Sequence, residues 1–351
     1  MSQSILHKHD ALSLVTLLEG HLPYSLPVYG TILANIPEPG ISPDEYGNTH
    51  PLSAWATFPP GSPSLEPWVI IVPLGTPLED QIRLYCSAET SCPDTSASDY
   101  PSGLDTVKRA LRSYGELSPG FKMVGALNAL WVPEVERFLH GQPRGRCNVF
   151  LPPLTGLGDS QAPEALEVEG YTVDHGREAE VEVFRDTSDI KRPSAYYRAR
   201  LPWSTVIRPS SSAEVGASAS STPAPAAALV LTHMDGSLGA LHTDAAYRRK
   251  GLARWVVQQH LKTGRGLLRN PRPNPISNPD PDPDPSPATG SANDLQDDTV
   301  ARGGRGGEGG EGGGGGGAWT VVFRGNEASE GLWINLGWRV GWECAWVYKG
   351  D

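Results

Sequence analysis

The stretch from 236 to 263 constrains the fold more than any other part of the chain. It opens on a short apolar run, Leu238–Leu241, that reads as a strand. It then turns through Tyr247-Arg248-Arg249-Lys250-Gly251-Leu252-Ala253 into a helix whose apolar positions Leu252, Trp255, Val256 and Leu261 fall at roughly helical spacing. A strand feeding a glycine turn and a helix start is physically an anion site. The first N–H groups of the helix have no internal partner, and the helix dipole adds partial positive charge there. Gly251 lets the backbone come close to a ligand and the small Ala253 keeps the turn uncrowded. Arg248, Arg249 and Lys250 add full charges that suit phosphate.

Charge and composition limit what such a site serves. The formal net charge of −11 argues against a general nucleic-acid binder, although this stretch is locally basic. With 351 residues the chain has room for two domains. Its hydrophobic content of 38% suffices for globular cores, but much of the 40 Gly and 33 Pro sits in a few tracts, so the folded part is shorter than the whole. Cys86, Cys92, Cys147 and Cys344 form no Cys-x-x-Cys pair and fit reduced thiols of a cytoplasmic protein. No apolar run approaches a membrane span. The N-terminal segment lacks a basic start followed by an apolar block and carries Asp10 and Glu19, which fits neither a signal nor a transit peptide. The cysteines and the nine histidines show no metal-ligand spacing, so no metal is expected. Trp319, Trp333, Trp338, Trp342 and Trp346 lack a basic stripe and read as core and pocket wall, not as a nucleic-acid platform.

Along the chain, residues 10–20 suit a short amphipathic helix, and Leu26–Ala34 is rich in strand formers. Residues 36–51 and 94–101 read as loops. Strands are expected at Trp68–Val72, Ile82–Cys86 and near Cys147–Leu151, and helices at Leu104–Arg112 and Glu134–Leu139. Alternating strands and helices make 1–151 an N-terminal α/β domain, followed by a Pro/Gly-rich linker at 152–165. The second domain, 166–351, starts with Glu167–Thr172, a helix around Glu178–Arg185 and a strand at Ser204–Arg208. Ala228–Thr232, the Asp235-Gly236 turn and Leu238–Thr243 make a hairpin. Biased tracts at 209–227 and 264–318 cannot bury enough side chain to order themselves and read as disordered inserts. Trp319–Phe323 is a strand, Asn326 caps a helix over Glu327–Asn335 that Gly337 ends, and Arg339–Tyr348 is a final strand or strand pair.

The order of these motifs resembles the GCN5-related N-acetyltransferase (GNAT) superfamily. The resemblance rests on Asp235-Gly236-Ser237-Leu238-Gly239-Ala240-Leu241-His242 running into Arg248-x-x-Gly251-x-Ala253, and on Asn326…Leu332-Trp333…Leu336-Gly337-Trp338. Within the superfamily, Leu26-Pro27-Val28-Tyr29-Gly30-Thr31 is similar to the N-terminal half of glycine N-acyltransferase-like proteins. The strong match covers roughly 228–263 and 319–348. The resemblance implies an α/β fold with a mixed sheet that splays open between 238–243 and 319–323. Acetyl-CoA or another acyl-CoA, as co-substrate, would lie in that gap along Leu241, His242 and Thr243. Its pyrophosphate would sit on Arg248, Arg249, Lys250, Gly251, Leu252 and Ala253, with Asn326 and Ser329 across the gap.

The implied chemistry is acyl transfer from the thioester to an amine, which must lose a proton before it attacks. In glycine N-acyltransferase-like enzymes the base is a glutamate whose position falls at Ser237, and the tyrosine that many superfamily members use to protonate the thiolate falls at Trp333. Candidates for the proton transfer are therefore His242, Asp244 and Asp235, with His233 ranked behind them. Regular alternation would place His242 on the strand face of Leu238 and Ala240. Asp235 also serves the Asp-Gly turn. The expected activity is acyl-CoA-dependent N-acylation of a small-molecule amine or an amino acid. Alternatives are a non-catalytic acyl-CoA-binding protein and a protein N-acetyltransferase that reaches a protein acceptor through the long insert. No nucleic-acid or membrane partner is expected.

Overall fold

The computed structural model describes residues 5–36, 52–62, 67–74, 80–92, 94–153, 168–188, 190–210, 224–263 and 318–350. The expected linker and the bulk of both biased inserts lie outside the described residues. The chain begins with β1 (His7–Asp10), α1 (Val15–Glu19) and α2 (Leu26–Ala34), then runs through β2 (Ser53–Ala56), β3 (Val69–Pro73) and β4 (Gln81–Cys86). Next come α3 (Tyr100–Leu117), β5 (Met123–Asn128), α4 (Val132–Leu139) and β6 (Gln142–Leu151). The second half repeats the pattern with β7 (Tyr171–Asp174), α5 (Val181–Thr187), α6 (Ser194–Arg200), β8 (Ser204–Pro209), β9 (Ala228–Thr232) and β10 (Leu238–Thr243). It closes with α7 (Leu252–Lys262), β11 (Thr320–Phe323), α8 (Glu327–Asn335) and β12 (Arg339–Tyr348).

All of these strands join one mixed sheet in the order β1-β2-β3-β4-β5-β12-β6-β11-β10-β9-β8-β7. Neighbours are antiparallel except β4 with β5 and β10 with β11, which are parallel. The two halves mirror one another in this order and exchange their last strands. β6 pairs with β11 of the second half, β12 pairs with β5 of the first, and β6 and β12 pair with each other from Arg339↔Leu151 to Tyr348↔Gln142.

Helices cover both faces, which is why β3 and β9 are apolar almost without a break. In β3, Ile70 and Val72 face the layer of α1 and α2, while Val69 and Ile71 face that of α3 and α4. In β9, Ala228 and Val230 pack under α7 and α8, while Leu229 and Leu231 pack against α5 and α6. The α3 stripe of Val107, Ala110, Leu111 and Tyr114 sits at helical spacing and is buried. Pro101 and Pro133 start α3 and α4, where a missing N–H costs nothing.

One segment departs from its expected type. Leu26–Ala34, read from its residues as strand-forming, is the helix α2. Pro27 lies in its first turn, the Thr31 hydroxyl donates to the Pro27 carbonyl at 2.7 Å, and every residue from Leu26 to Leu33 is buried. A helix buried on all sides needs no polar face, so the periodicity that separates helix from strand is absent from its sequence. The helix α6 and the strands β1 and β2 are short and gave no distinct signal.

The first half buries a carboxyl group outside the cleft described below. Glu89 accepts from the backbone N–H of Cys86, from Trp131 Nε1 and from Asn128 Nδ2, at 3.0, 2.9 and 3.0 Å. Burial outweighs these donors and pushes the group up to about 7. The folded state thus holds this proton more tightly than the unfolded chain, so stability is lost as pH rises through the interval between the two values. Between pH 5 and pH 8 the wild type should lose about 3 kcal/mol relative to Glu89→Gln, read from denaturant unfolding at each pH. A difference that does not change with pH would contradict this assignment.

Candidate active site

β10 and β11 make contact as a parallel pair at Leu238↔Thr320, where the Thr320 hydroxyl donates to the Leu238 carbonyl at 2.8 Å. Beyond that point β10 follows β9 with a register shift between Gly239 and His242, and Ala240 sits in the left-handed region at φ 51°. The extra residue bends β10, and a cleft opens between it and β11. Its walls include Leu238–Leu241 of β10, Thr320–Phe323 of β11, Cys147 of β6 and Trp346 of β12. Asn326, Ser329 and Trp333 of α8 close one side, and Ser188, Ile190 and Arg192 between α5 and α6 close another.

At the far end of β10 the backbone turns into α7. Asp244 accepts from the Ala246 N–H at 2.9 Å and starts a single turn over Ala245–Tyr247. Arg248 Nε donates to the Thr243 carbonyl at 3.1 Å. Arg249 at φ 63° and Gly251 at φ 78° are both left-handed, and an added Cβ on Gly251 would meet nothing within 4 Å. No side chain caps α7, so the N–H groups that follow Gly251 keep their donor capacity for a ligand. Arg248, Arg249 and Lys250 are exposed, and Lys250 Nζ donates to the Tyr171 hydroxyl at 3.3 Å. Open donors, left-handed backbone and three cations fit a pyrophosphate. The corresponding segment after β4 does not. It turns at once through Ser87–Thr90, carries Asp94 and Asp99, and has neither lysine nor arginine between 87 and 100.

Across the cleft, the Asn326 side chain accepts from the Ser329 N–H at 3.3 Å and caps α8. Trp333 is buried with its ring 4.6 Å from that of Trp338. An indole N–H is a donor with no useful acidity, so Trp333 supplies wall and not protons.

The candidates for proton transfer are placed differently from their sequence ranking. His242 is half-buried, lies outside the cleft wall, and faces Arg248 and Asp244; burial and Arg248 lower its proton affinity. The bulge at 239–242 breaks the alternation that would have set it beside Leu238 and Ala240. Asp244 is exposed and spends its carboxylate on the Ala246 N–H. Asp235 does reach the cleft, but its carboxylate is saturated. Oδ2 accepts from Arg83 Nη2 at 2.7 Å and Nε at 3.2 Å, and Oδ1 accepts from the Ser237 hydroxyl at 2.6 Å and N–H at 3.1 Å. Burial opposes ionisation there, yet Arg83 overrides it and holds the carboxyl well below the usual range. A carboxylate so poor at taking protons is no base near neutral pH.

His233 is the group that the geometry promotes. It lines the cleft, and its Nδ1 is 2.8 Å from the Tyr196 hydroxyl. Its ring lies over Gly239, where an added Cβ would come within 2.1 Å of Nε2. Burial, then Arg192, push its proton affinity well below that of an ordinary histidine, so the imidazole is neutral at pH 7. Beside it the Arg192 guanidinium lies 4.9 Å from the centre of the Tyr196 ring, and its buried Nε has no hydrogen-bond partner. Nothing local in the sequence sets His233 above His242 or marks Arg192 and Tyr196. Arg83 is not among the residues expected from the sequence either, although a charge inside the apolar strand Ile82-Arg83-Leu84-Tyr85 is a signal that a buried partner is needed.

Comparison with known proteins bears on the fold. No family model and no curated protein matches the chain. Among solved structures, a Drosophila protein is similar over 99% of both chains at 10% identity with a TM-score of 0.57. A GCN5-related N-acetyltransferase from Sphaerobacter thermophilus is similar at 11% identity over 99% of this chain and 96% of its own, with a TM-score of 0.40. A tandem GNAT protein from the clavulanic acid biosynthesis pathway is similar at 9% identity over 99% of both chains, with a TM-score of 0.41. What this chain shares with the Drosophila protein at such identity is the fold.

The contact between His233 and Gly239 makes a local prediction. Gly239→Ala should destabilise the protein by about 1–3 kcal/mol through overpacking. His233→Ala in the same chain should recover most of that loss in denaturant unfolding. A double variant no more stable than Gly239→Ala would show that the ring is not what fills the space.

Proposed function

We propose that this protein is an acyl-CoA-dependent N-acyltransferase of the GNAT superfamily, of the glycine N-acyltransferase-like kind. It acts in the cytoplasm on the amine of a small molecule or an amino acid. One observation carries the reading: a single bulged strand, β10, has an open phosphate cradle at one end and a cleft holding a neutral histidine at the other. A bound acyl-CoA supplies the activated acyl group. Arg248, Arg249, Lys250 and the N–H groups after Gly251 hold its pyrophosphate, and the edges of β10 and β11 flank the acyl-bearing arm.

The acceptor amine reaches the protein as an ammonium and must lose a proton before it can attack. His233 takes that proton. With Nδ1 donating to the Tyr196 oxygen, Nε2 is left as the acceptor. The ring is unprotonated at neutral pH and so free to accept; burial and Arg192, which weaken it as a base, weaken the hold of a nearby ammonium on its proton as well. Arg192 helps in two ways. Its positive charge disfavours a protonated amine nearby, and its guanidinium offers paired donors to a carboxylate on the acceptor. Asp235, consumed by Arg83, does not cancel that charge.

Release of CoA thiol from acetyl- and longer acyl-CoAs, against a panel of amines and amino acids, tests the reading. His233→Gln should lower kcat by about 10²–10⁴-fold with CoA affinity unchanged. Arg248→Glu should weaken CoA binding at least about tenfold in calorimetry, as expected when a charged contact of about 1.5–3 kcal/mol is reversed. No thiol release with any pair, together with CoA binding, would favour the second reading. That reading, a non-catalytic acyl-CoA-binding protein, is supported by Trp333 at the place of the proton-donating tyrosine. If amino acids are the acceptors, Arg192→Met should raise their KM about tenfold or more and leave that of acyl-CoA unmoved.

A further inference from the structure

We propose that Arg83, in the first half of the chain and outside the cleft wall, is a positioning residue for His233. It acts through Asp235, which it holds in place, and it balances the charge that His233 experiences. The inference rests on the reading of His233 as the proton acceptor. Arg83 is completely buried in β4, and its guanidinium packs where a Cβ on Gly125 would lie. It reaches across the sheet to the β9–β10 turn and places two N–H groups on one oxygen of Asp235.

That turn, 233–237, carries the polar side of the cleft. It closes on itself through the Gly236 N–H to the His233 carbonyl at 3.0 Å and the His233 N–H to the Ser237 carbonyl at 2.8 Å. From outside, the first half of the chain grips it at three points. Arg83 holds Asp235, Asn35 Nδ2 donates to the Met234 carbonyl at 2.7 Å, and Gly30 lets α2 approach so closely that a Cβ would come within 2.3 Å of the Asp235 carbonyl oxygen. His233 therefore sits on a short loop that Asn35 at the end of α2 and Arg83 of β4 tie down from more than a hundred residues earlier in the sequence.

The charges around the imidazole come from every element packed on it. Tyr196, Arg192 and Arg200 face it from α6 and the segment before it, Asp235 from its own turn, and Arg83 from β4. Asp235 favours the protonated ring and the three arginines oppose it. With the pair intact, Arg83 offsets part of the effect of Asp235, which is the larger of the two. Removing one member unbalances the site in a direction that depends on which one is lost, and removing both shifts it less than removing Asp235 alone.

The test is a double-variant cycle on the full chain with two readouts. The first is the His233 imidazole titration followed by NMR, with His233→Gln assigning the signal. The second is the pH profile of acyl transfer. Arg83→Gln should raise the proton affinity of His233 and move the acid limb of kcat/KM to higher pH. Asp235→Asn should move both the other way. Arg83→Gln with Asp235→Asn should place the titration between those of the two single variants, while kcat falls about 10²-fold because the turn is less firmly held. Should Arg83→Gln fail to fold, Asp235→Asn and the double variant, in which no buried charge is stranded, still report the direction. Single variants that leave the titration unmoved, or move it in the same direction, overturn the proposal. A titration that obeys the cycle in a protein that transfers no acyl group would uphold the coupling and overturn the enzymatic reading. Transfer with an unmoved titration would do the reverse.

Discussion

The ladder between β6 and β12 is the constraint on which the rest of the molecule depends. β6 ends the first half of the chain and β12 ends the second, yet each pairs with the fifth strand of the opposite half and with the other over its whole length. Buried backbone N–H and C=O groups must be paired, so neither half can complete its sheet from its own residues. The exchange also sets the composition of the cleft. Cys147 of β6 and Trp346 of β12 stand in its wall beside residues of β10 and β11, so both halves of the chain contribute to one site.

Charge follows the same geometry. Inside, it is paired: Arg83 with Asp235 across the halves, and Arg208 with Glu180 and Asp174 beside α5. Removing one partner of such a buried pair costs about 3–5 kcal/mol, because the other is stranded. At the two ends of β10 cations instead remain available, exposed in Arg248, Arg249 and Lys250 and part-buried in Arg192. Those are the ends at which the proposed ligands present their negative groups.

The parts legible in the sequence are those whose physics is local. The Asp235-Gly236 turn, the cradle at 248–253 and the cap at Asn326 stand where their residue types required, because a positive φ, an open helix start and an Asx cap depend on a few neighbours. Leu26–Ala34 is a helix that its residues do not announce, because a fully buried helix shows no period. Regular alternation points to His242 over His233, and a bulge with Ala240 at positive φ leaves no distinctive residue to announce it.

By itself, then, the sequence determined the alternation of strands and helices, the hairpin and the glycine-led start of α7, since each follows from spacing and side-chain chemistry within one short window. Only the tertiary structure decided that the two halves exchange strands, that Asp235 is consumed by Arg83, and that His233, Tyr196 and Arg192 converge on the cleft. Those outcomes depend on contacts between residues far apart in the chain. A charge in the middle of β4 can signal that it needs a partner, but only packing reveals which carboxylate it finds.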